Sequence, residues 1–135
     1  NVGMIIRSVA ASQTHGLVLP AKGNASLGPL VIKASAGTLL HCRIYQCDTL
    51  DKAIDYLKNR GFVIYGMEGA GTLALNNLPT NTHSLFVMGN ETEGLSAQTK
   101  QACDGLVSIP MANAVESLNV SAAATLVAFQ DMLKS

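Results

Sequence analysis

Hydrophobic residues along the chain alternate between two patterns, one typical of amphipathic helices and the other typical of buried strands. Apolar residues three or four positions apart, preceded by capping residues, predict helices over residues 2–12, 50–60, 97–102 and 117–133. Short continuous apolar runs predict strands over residues 16–20, 42–46, 62–67, 84–88 and 105–109. One further helix is predicted to open at Pro29 and to run towards Gly37, after a loop over residues 22–28.

This alternation of strands and helices predicts an α/β fold. The strands are apolar throughout, which indicates a mostly parallel sheet covered by helices on both faces. No repeat or linker interrupts the chain, so residues 1–135 are predicted to form one domain. Ligands of open α/β sheets bind beyond the carboxyl ends of the strands. The loops of interest therefore begin at Pro20, Glu68, Gly89 and Pro110.

Composition and charge narrow the class of protein. Hydrophobic residues make up 48% of the chain and charged residues 13%, which is typical of a globular domain and not of a disordered tail. Nine basic residues balance nine acidic ones. The chain therefore lacks the basic excess of a simple nucleic-acid clamp, although a local basic face is compatible with this balance.

Cysteine and histidine spacing gives no sign of metal chemistry or of disulfides. The three cysteines form no CxxC pair, and the three histidines have no partners at metal-ligand spacing. We therefore expect reduced, mostly buried thiols and no metal. The chain also has no apolar run of membrane-spanning length and no signal peptide, so we expect a cytoplasmic protein without a membrane partner.

A loop with two glycines follows the strand predicted over residues 84–88. It reads Gly-Asn-Glu-Thr-Glu-Gly-Leu-Ser over residues 89–96, and glycines five positions apart permit a tight turn and close approach of a ligand. The loop has neither the GKS/T ending of a P-loop nor the GxGxxG pattern of dinucleotide-binding folds. Its carboxylates, Glu91 and Glu93, favour a ligand with hydroxyl groups or positive charge. An ordinary strand-to-helix loop is the alternative.

Two further stretches carry candidate chemistry. Residues 109–121 read Ile-Pro-Met-Ala-Asn-Ala-Val-Glu-Ser-Leu-Asn-Val-Ser, with Ser117 and Asn119 at the start of the last predicted helix, where free backbone amides can bind polar groups. Simple capping by Ser117 with a solvated Asn119 is the alternative. In the first predicted helix, Gly3 favours close packing or ligand approach, whereas Arg7 by itself fits a solvated helix charge.

Together the three stretches resemble the signature motifs of the SpoU/TrmH RNA 2'-O-ribose methyltransferases, in the same order along the chain. The matches are N-x-G-x-x-x-R (motif one) at residues 1–7, G-x-E-x-x-G (motif two) at residues 89–94, and I-P-M followed by S-L-N-V-S (motif three) at residues 109–111 and 117–121. The resemblance covers essentially the whole chain, and motif three is its most specific part.

The resemblance implies more than the residues alone predict. It implies an α/β-knot (SPOUT) fold with a deep trefoil knot in the carboxyl-terminal part, and a homodimer in which motif one of one subunit lies near the cofactor of the other. The implied cofactor is S-adenosylmethionine, with no metal. The residues implied to bind it are Val87, Met88, Gly89, Asn90, Gly94, Ile109, Pro110, Met111, Ser117 and Leu118.

The implied activity is transfer of a methyl group to a ribose 2'-hydroxyl of structured RNA, with rRNA favoured. The residues implied to be catalytic are Asn1, Arg7, Glu91, Ser117 and Asn119. The alternatives are a tRNA 2'-O-methyltransferase, a non-catalytic RNA-binding or assembly module, and a small-molecule-binding α/β domain. The strand that precedes motif one in the family, and the small amino-terminal RNA-binding domain of many relatives, are absent from residues 1–135.

Overall fold

The computed structural model describes residues 2–21, 27–33 and 42–134. The elements in chain order are α1 (Val2–Ala11), β1 (Gly16–Pro20), β2 (Val31–Lys33), β3 (Arg43–Cys47), α2 (Leu50–Lys58), β4 (Val63–Met67), β5 (Leu73–Ala74), a 3-10 turn (Leu75–Asn77), β6 (Ser84–Val87), α3 (Ala97–Ala102), β7 (Gly105–Ser108) and α4 (Val120–Lys134). Three predictions fall wholly or partly outside the described residues: Asn1, most of the loop over residues 22–28, and the end of the helix predicted from Pro29.

The described strands form two hydrogen-bonded sheets, one in the order β1-β3-β2 and one in the order β5-β7-β4-β6. Every strand pair is parallel except β2 with β3. Helix α2 contacts β1 and β3 of the first sheet and β4 of the second, so it spans both sheets. The predicted α/β class, with mostly parallel strands flanked by helices, is therefore confirmed. The trefoil knot stays a prediction.

The core has layers on both faces of the four-stranded sheet, because neighbouring residues of a strand point to opposite faces. Ile64 of β4 is fully buried against Ile54 and Leu57 of α2, while the adjacent Tyr65 packs on the other face with Val107 of β7. A third cluster buries Val9 of α1 against the three-stranded sheet. Each of the two sheets thus has its own helix-covered core.

Local capping explains the helices that the sequence predicts best. The side chain of Thr49 accepts a hydrogen bond from the Lys52 backbone N–H at 3.2 Å, which satisfies a free donor at the start of α2. Gly61, with φ of 86°, ends the following turn in a left-handed conformation that glycine adopts without strain. Ser96 caps α3 in the same way, through the Thr99 N–H at 3.1 Å.

The prediction of a helix from Pro29 is wrong over residues 31–33, which form strand β2. Val31 and Ile32 are β-branched and pair antiparallel with Gln46 and Tyr45 of β3. Strand pairing across the sheet therefore overrides the local preference set by Pro29. The two-residue strand β5 and the 3-10 turn after it were not predicted, because neither is long enough to show a hydrophobic period.

All three cysteines are free thiols, as predicted. Cys42 and Cys47 are buried beside or within β3, and Cys103 is half-buried after α3. Burial raises the pKa of each thiol above its ordinary value. In the part of the chain that the structure describes, no helix combines the length and the apolar character needed to cross a membrane.

Candidate active site

The loops that carry motifs two and three start at the same edge of the four-stranded sheet. In the parallel pairings, Gly66 of β4 lies beside Val87 of β6, and Met67 of β4 lies beside Val107 of β7. The carboxyl ends of these three strands therefore lie side by side. The loop after β4 emerges between the other two, as expected for a ligand site in an open α/β sheet.

An open cleft of about 530 Å³ lies at this edge. This volume is in the range of pockets that hold nucleoside-sized ligands. The cleft is formed by the loop after β4, the end of β7 and the following loop, with these lining residues: Gly69, Ala70, Ser108, Ile109, Pro110, Met111, Val115 and Glu116. Its walls are mainly small or apolar, so polar recognition there depends on the backbone and on a few side chains.

The loop of motif two folds back on itself in a tight turn. The backbones of Asn90 and Gly94 exchange two hydrogen bonds, of 3.1 and 2.8 Å. The side-chain oxygen of Asn90 accepts from the N–H groups of Thr92 and Glu93, at 2.7 and 3.3 Å. Asn90 therefore forms and closes the turn, and Glu91 is exposed within that turn.

Both glycines of motif two are explained by backbone geometry. A Cβ on Gly89 would lie 2.6 Å from the carbonyl carbon of Gly94 and 2.8 Å from the backbone nitrogen of Leu95, which is too close for any side chain. Gly94 has φ of 69°, in the left-handed region. Leu95, directly after the turn, is buried in the core and anchors the loop.

The loop of motif three contains a second turn, and the backbone of this one is strained. Val115 N–H donates to Ala112 C=O at 3.2 Å, and the two residues between them, Asn113 and Ala114, have φ of 57° and 60°. This pattern matches a type I′ turn. Asparagine tolerates the left-handed region, but alanine is strained there, and strain of this kind concentrates at functional sites. Residues 111–119 are all exposed.

Asn119, and not Ser117, caps the last helix. Its Oδ1 accepts from the Ala122 backbone N–H at 2.8 Å and from Ser121 Oγ at 2.9 Å. The helix predicted over residues 117–133 accordingly begins at Val120, and Ser117 and Leu118 lie in the preceding loop. Because a backbone N–H can donate only to the oxygen of the side-chain amide, the orientation of Asn119 is fixed, with its NH₂ group turned away from the cap.

Motif one lies on α1, which packs against α4. Arg7 is exposed in the second turn of that helix. A Cβ on Gly3 would meet nothing within 4 Å in this chain, so close packing within the chain does not explain that glycine. Asn1 lies outside the described residues.

Apart from Asn1 and Arg7 of motif one, the predicted site residues fall into three groups. Ile109, Pro110 and Met111 line the cleft. Val87, Met88, Gly89, Asn90, Glu91 and Gly94 form the end of β6 and the turn beside it. Ser117, Leu118 and Asn119 lead into α4. Binding and catalytic roles for all three groups stay predictions.

Sequence patterns did not single out five of the lining residues: Gly69, Ala70, Ser108, Val115 and Glu116. The rule that ligands bind beyond strand ends identified the loop that begins at Glu68, but its small residues carry no chemical signature. Glu68 itself pairs with Lys100 of α3 at 3.2 Å, which ties this loop to the helix after motif two. In the described ranges, no three histidine, cysteine, aspartate or glutamate residues are grouped to hold a metal ion.

Known proteins are similar to this chain in both sequence and fold. The model of the SpoU rRNA Methylase family matches residues 1–129. An uncharacterized tRNA/rRNA methyltransferase of Mycolicibacterium smegmatis is 36% identical over 127 residues, which are 94% of this chain and 40% of that protein. A protein of the same description from Synechocystis is 38% identical over 126 residues, or 93% of this chain and 33% of that protein.

A solved structure agrees with these sequence matches. The SpoU methyltransferase AviRb from Streptomyces viridochromogenes, in complex with the cofactor AdoMet, superposes with a TM-score of 0.78 at 27% identity and covers 98% of this chain and 55% of that one. The fold and the motifs define a methyltransferase-type α/β domain. The chain belongs to the SpoU rRNA methylase family. It spans about two fifths of the length of its M. smegmatis relative.

Proposed function

We propose that this chain is the catalytic domain of an S-adenosylmethionine-dependent RNA methyltransferase that modifies a ribose 2'-hydroxyl, with rRNA as the favoured substrate. The observation that carries the proposal is the cleft at the carboxyl edge of the sheet, lined by the Ile109-Pro110-Met111 segment of motif three. Family membership and the AdoMet complex of AviRb support the same cofactor.

The cleft fits S-adenosylmethionine in size and in chemistry. Its volume of about 530 Å³ is ample for a nucleoside with an amino-acid tail. The small residues Gly69 and Ala70 leave room for a flat base, and the exposed carboxylate of Glu116 suits a ligand with a positive charge and hydroxyl groups. When bound, S-adenosylmethionine supplies a methyl group on a sulfonium, which is already a good leaving group.

The protein must then orient a ribose hydroxyl, whose proton passes to solvent water at the open cleft, and stabilise the negative charge that grows on its oxygen. Arginine is a permanent cation in proteins, so we assign Arg7 to hold an RNA phosphate and to stabilise the developing alkoxide, not to remove the proton as a base. Ser117 and Glu91 are assigned to orient the ribose, together with Asn1. Because the methyl donor is activated, correct positioning supplies most of the acceleration.

Asn119 has a more specific assignment, because its carbonyl oxygen is already used by the helix cap. Only the NH₂ group is available to a ligand, so Asn119 acts as a hydrogen-bond donor to an oxygen of the ribose or of the cofactor. Asn119→Asp keeps the cap acceptor and removes both donors. We expect this variant to unfold at or above the wild-type temperature and to lose methyl transfer about 100-fold.

Thermal unfolding and single-turnover methyl transfer measure the two effects of that change. Asn119→Ser is the matched control for the cap, since serine also caps helices but lacks the amide. Equal activity of Asn119→Asp and wild type would show that Asn119 does not act as a hydrogen-bond donor in the reaction.

A homodimer is part of the proposal. Seven of the ten large apolar residues that are exposed in the described part of the chain lie on the motif-three loop, on α1 or on α4: Val2, Met4, Met111, Val115, Leu118, Leu126 and Leu133. Such a surface favours contact with another protein surface. In the proposed dimer, as the family resemblance implies, motif one of one subunit lies near the cofactor of the other.

Methyl transfer from labelled S-adenosylmethionine to purified rRNA and tRNA tests the function. We expect label in rRNA, carried by 2'-O-methylated nucleosides after complete nuclease digestion. Label in tRNA alone would support the tRNA alternative, and label on bases would overturn ribose specificity. RNA binding without any transfer would favour the non-catalytic module.

A further inference from the structure

Charge is divided unevenly between the two parts of the chain. Residues 1–47, which include α1 and all strands of the three-stranded sheet, contain four lysines and arginines and no aspartate or glutamate. Residues 48–135 contain five lysines and arginines and nine carboxylates. The formal charge is therefore +4 in the first segment and −4 in the second, although the whole chain is neutral. Such asymmetry is typical of proteins that bind a polyanion such as nucleic acid.

The ion pairs of the described residues do not neutralise the first segment. All of them join residues of the second segment: Lys52 with Asp48, Lys58 with Asp104 and Lys100 with Glu68. Arg43 of β3 is exposed, and it forms no ion pair in the part of the chain that the structure describes. Its guanidinium is therefore available to a phosphate, which arginine can bind through two parallel hydrogen bonds.

A pair of aromatic rings lies on the same sheet. His15 Nε2 lies 2.7 Å from the hydroxyl oxygen of Tyr45. The planes of the two rings differ by 23°, and the ring centres are 5.9 Å apart. Because the hydrogen bond joins the edge of the imidazole to the hydroxyl of the tyrosine, the rings lie side by side and form a nearly flat surface. His15 is exposed and Tyr45 is half-buried, so this surface reaches solvent.

Gly16 makes room for the tyrosine ring. A Cβ at Gly16 would lie 2.9 Å from Cε2 of Tyr45 and 2.6 Å from the backbone oxygen of Arg43. The ring can therefore lie against β1 only because residue 16 has no side chain. Arg43 and Tyr45 are two residues apart on β3, so their side chains leave the same face of the strand. The ring pair and the free guanidinium thus belong to one surface.

We propose that His15, Tyr45 and Arg43 form a surface that binds single-stranded RNA, with an unpaired base on the two rings and a phosphate on Arg43. The inference rests on the proposed function, because it names where the RNA substrate is held. Aromatic side chains stack on the face of any unpaired base, and neighbouring cations bind the backbone. A base inside a duplex is already stacked on its neighbours, so the surface should prefer single strands.

Equilibrium binding of a short labelled single-stranded RNA, and of a duplex of the same sequence, tests this surface. Tyr45→Leu and His15→Ala should weaken binding of the single strand by about tenfold, a usual effect of losing one stacked base, and should change duplex binding little. Tyr45→Phe keeps the ring and should retain most of the affinity. Arg43→Ala should weaken binding of both RNAs and lower the slope of log affinity against log salt by about one.

Two matched controls lie in the second segment. His83→Ala removes another exposed histidine, whose ring lies at 46° to that of Phe62. Arg60→Ala removes another exposed arginine. Neither change should alter the affinity for either RNA. Because His15 is exposed, His15→Ala still tests the ring surface should Tyr45→Leu not fold.

Methyl-transfer kinetics separate RNA binding from the reaction itself. With an RNA that the wild-type protein methylates, Tyr45→Leu should raise KM for RNA by about tenfold. Its kcat at saturating RNA and its affinity for S-adenosylmethionine should match those of wild type, since neither ring lines the cleft.

Three results would overturn the inference. One is equal single-strand binding by wild type, Tyr45→Leu and His15→Ala, or no binding of either RNA by wild type. Another is an equal loss of single-strand and duplex binding in the two ring variants. The third is a changed oligomeric state with normal RNA affinity, which would make this surface a subunit contact. RNA binding that depends on Tyr45, without methyl transfer by the wild-type protein, would support the surface and overturn the catalytic function instead.

Discussion

Arg7→Ala is expected to lower the rate of methyl transfer by about 100- to 1000-fold, the usual effect of removing one group that stabilises a developing oxyanion. Affinity for S-adenosylmethionine should stay within a few-fold of wild type, because Arg7 lies on α1 and does not line the cleft. Single-turnover transfer to RNA and calorimetric titration of the cofactor measure the two quantities separately.

Two variants sharpen the Arg7 experiment. Arg7→Lys keeps the positive charge but not the planar, two-pronged donor geometry, so it should recover only part of the rate. Arg60→Ala removes a different exposed arginine, whose guanidinium lies 3.6 Å from the centre of the Tyr56 ring, and should leave the rate unchanged. Wild-type turnover in Arg7→Ala would exclude Arg7 from the active site.

Gly89→Ala is expected to disrupt both folding stability and cofactor binding. The added methyl group would overlap backbone atoms of Gly94 and Leu95, which cannot move aside as the end of a flexible side chain could. Overpacking of this kind costs about 1 to 3 kcal/mol of unfolding free energy. Because the turn must open to relieve the overlap, we expect cofactor affinity to fall by at least about tenfold as well, an effect of about 1.4 kcal/mol.

Gly28→Ala is the matched control for this change. A Cβ at Gly28 meets nothing within 4 Å, so the same substitution should alter neither quantity appreciably. Urea unfolding measures the stability of both variants, and equilibrium titration measures cofactor affinity. Normal affinity in a destabilised Gly89→Ala protein would show that the motif-two turn stabilises the domain without contacting the cofactor.

The elements that the sequence predicts well are those whose signals are local. Helix α2 has a capping residue at Thr49, an apolar face and a glycine after its end, and all three appear in the structure. Strand β2 has no such local signal, because its three residues become a strand only through pairing with β3. The start of α4 was placed three residues too early, since Ser117 and Asn119 are equally good caps on sequence alone.

The candidate site likewise contains residues that the sequence predicts and residues that it does not. Motifs two and three contain residue types whose chemistry is visible in the sequence, so Met111 and Glu91 could be named as candidates. Gly69 and Ala70 line the cleft without a reactive side chain, so their residue types do not mark them as site residues in the sequence. The left-handed conformation of Ala114 was equally unpredictable, because alanine seldom adopts it and the surrounding loop imposes it.

The reactivity of the buried thiols can report local opening of this domain. Only the thiolate reacts with alkylating reagents, and burial both shields Cys42 and Cys47 and raises the pKa of each. Cys42 lies beside β3 of the three-stranded sheet and Cys47 lies within it, whereas Cys103 packs against the core of the four-stranded sheet. Alkylation followed by mass spectrometry should therefore time the opening of each sheet separately, with Cys47 modified more slowly than Cys103. Equally fast modification of all three thiols would mean that the two sheets open together.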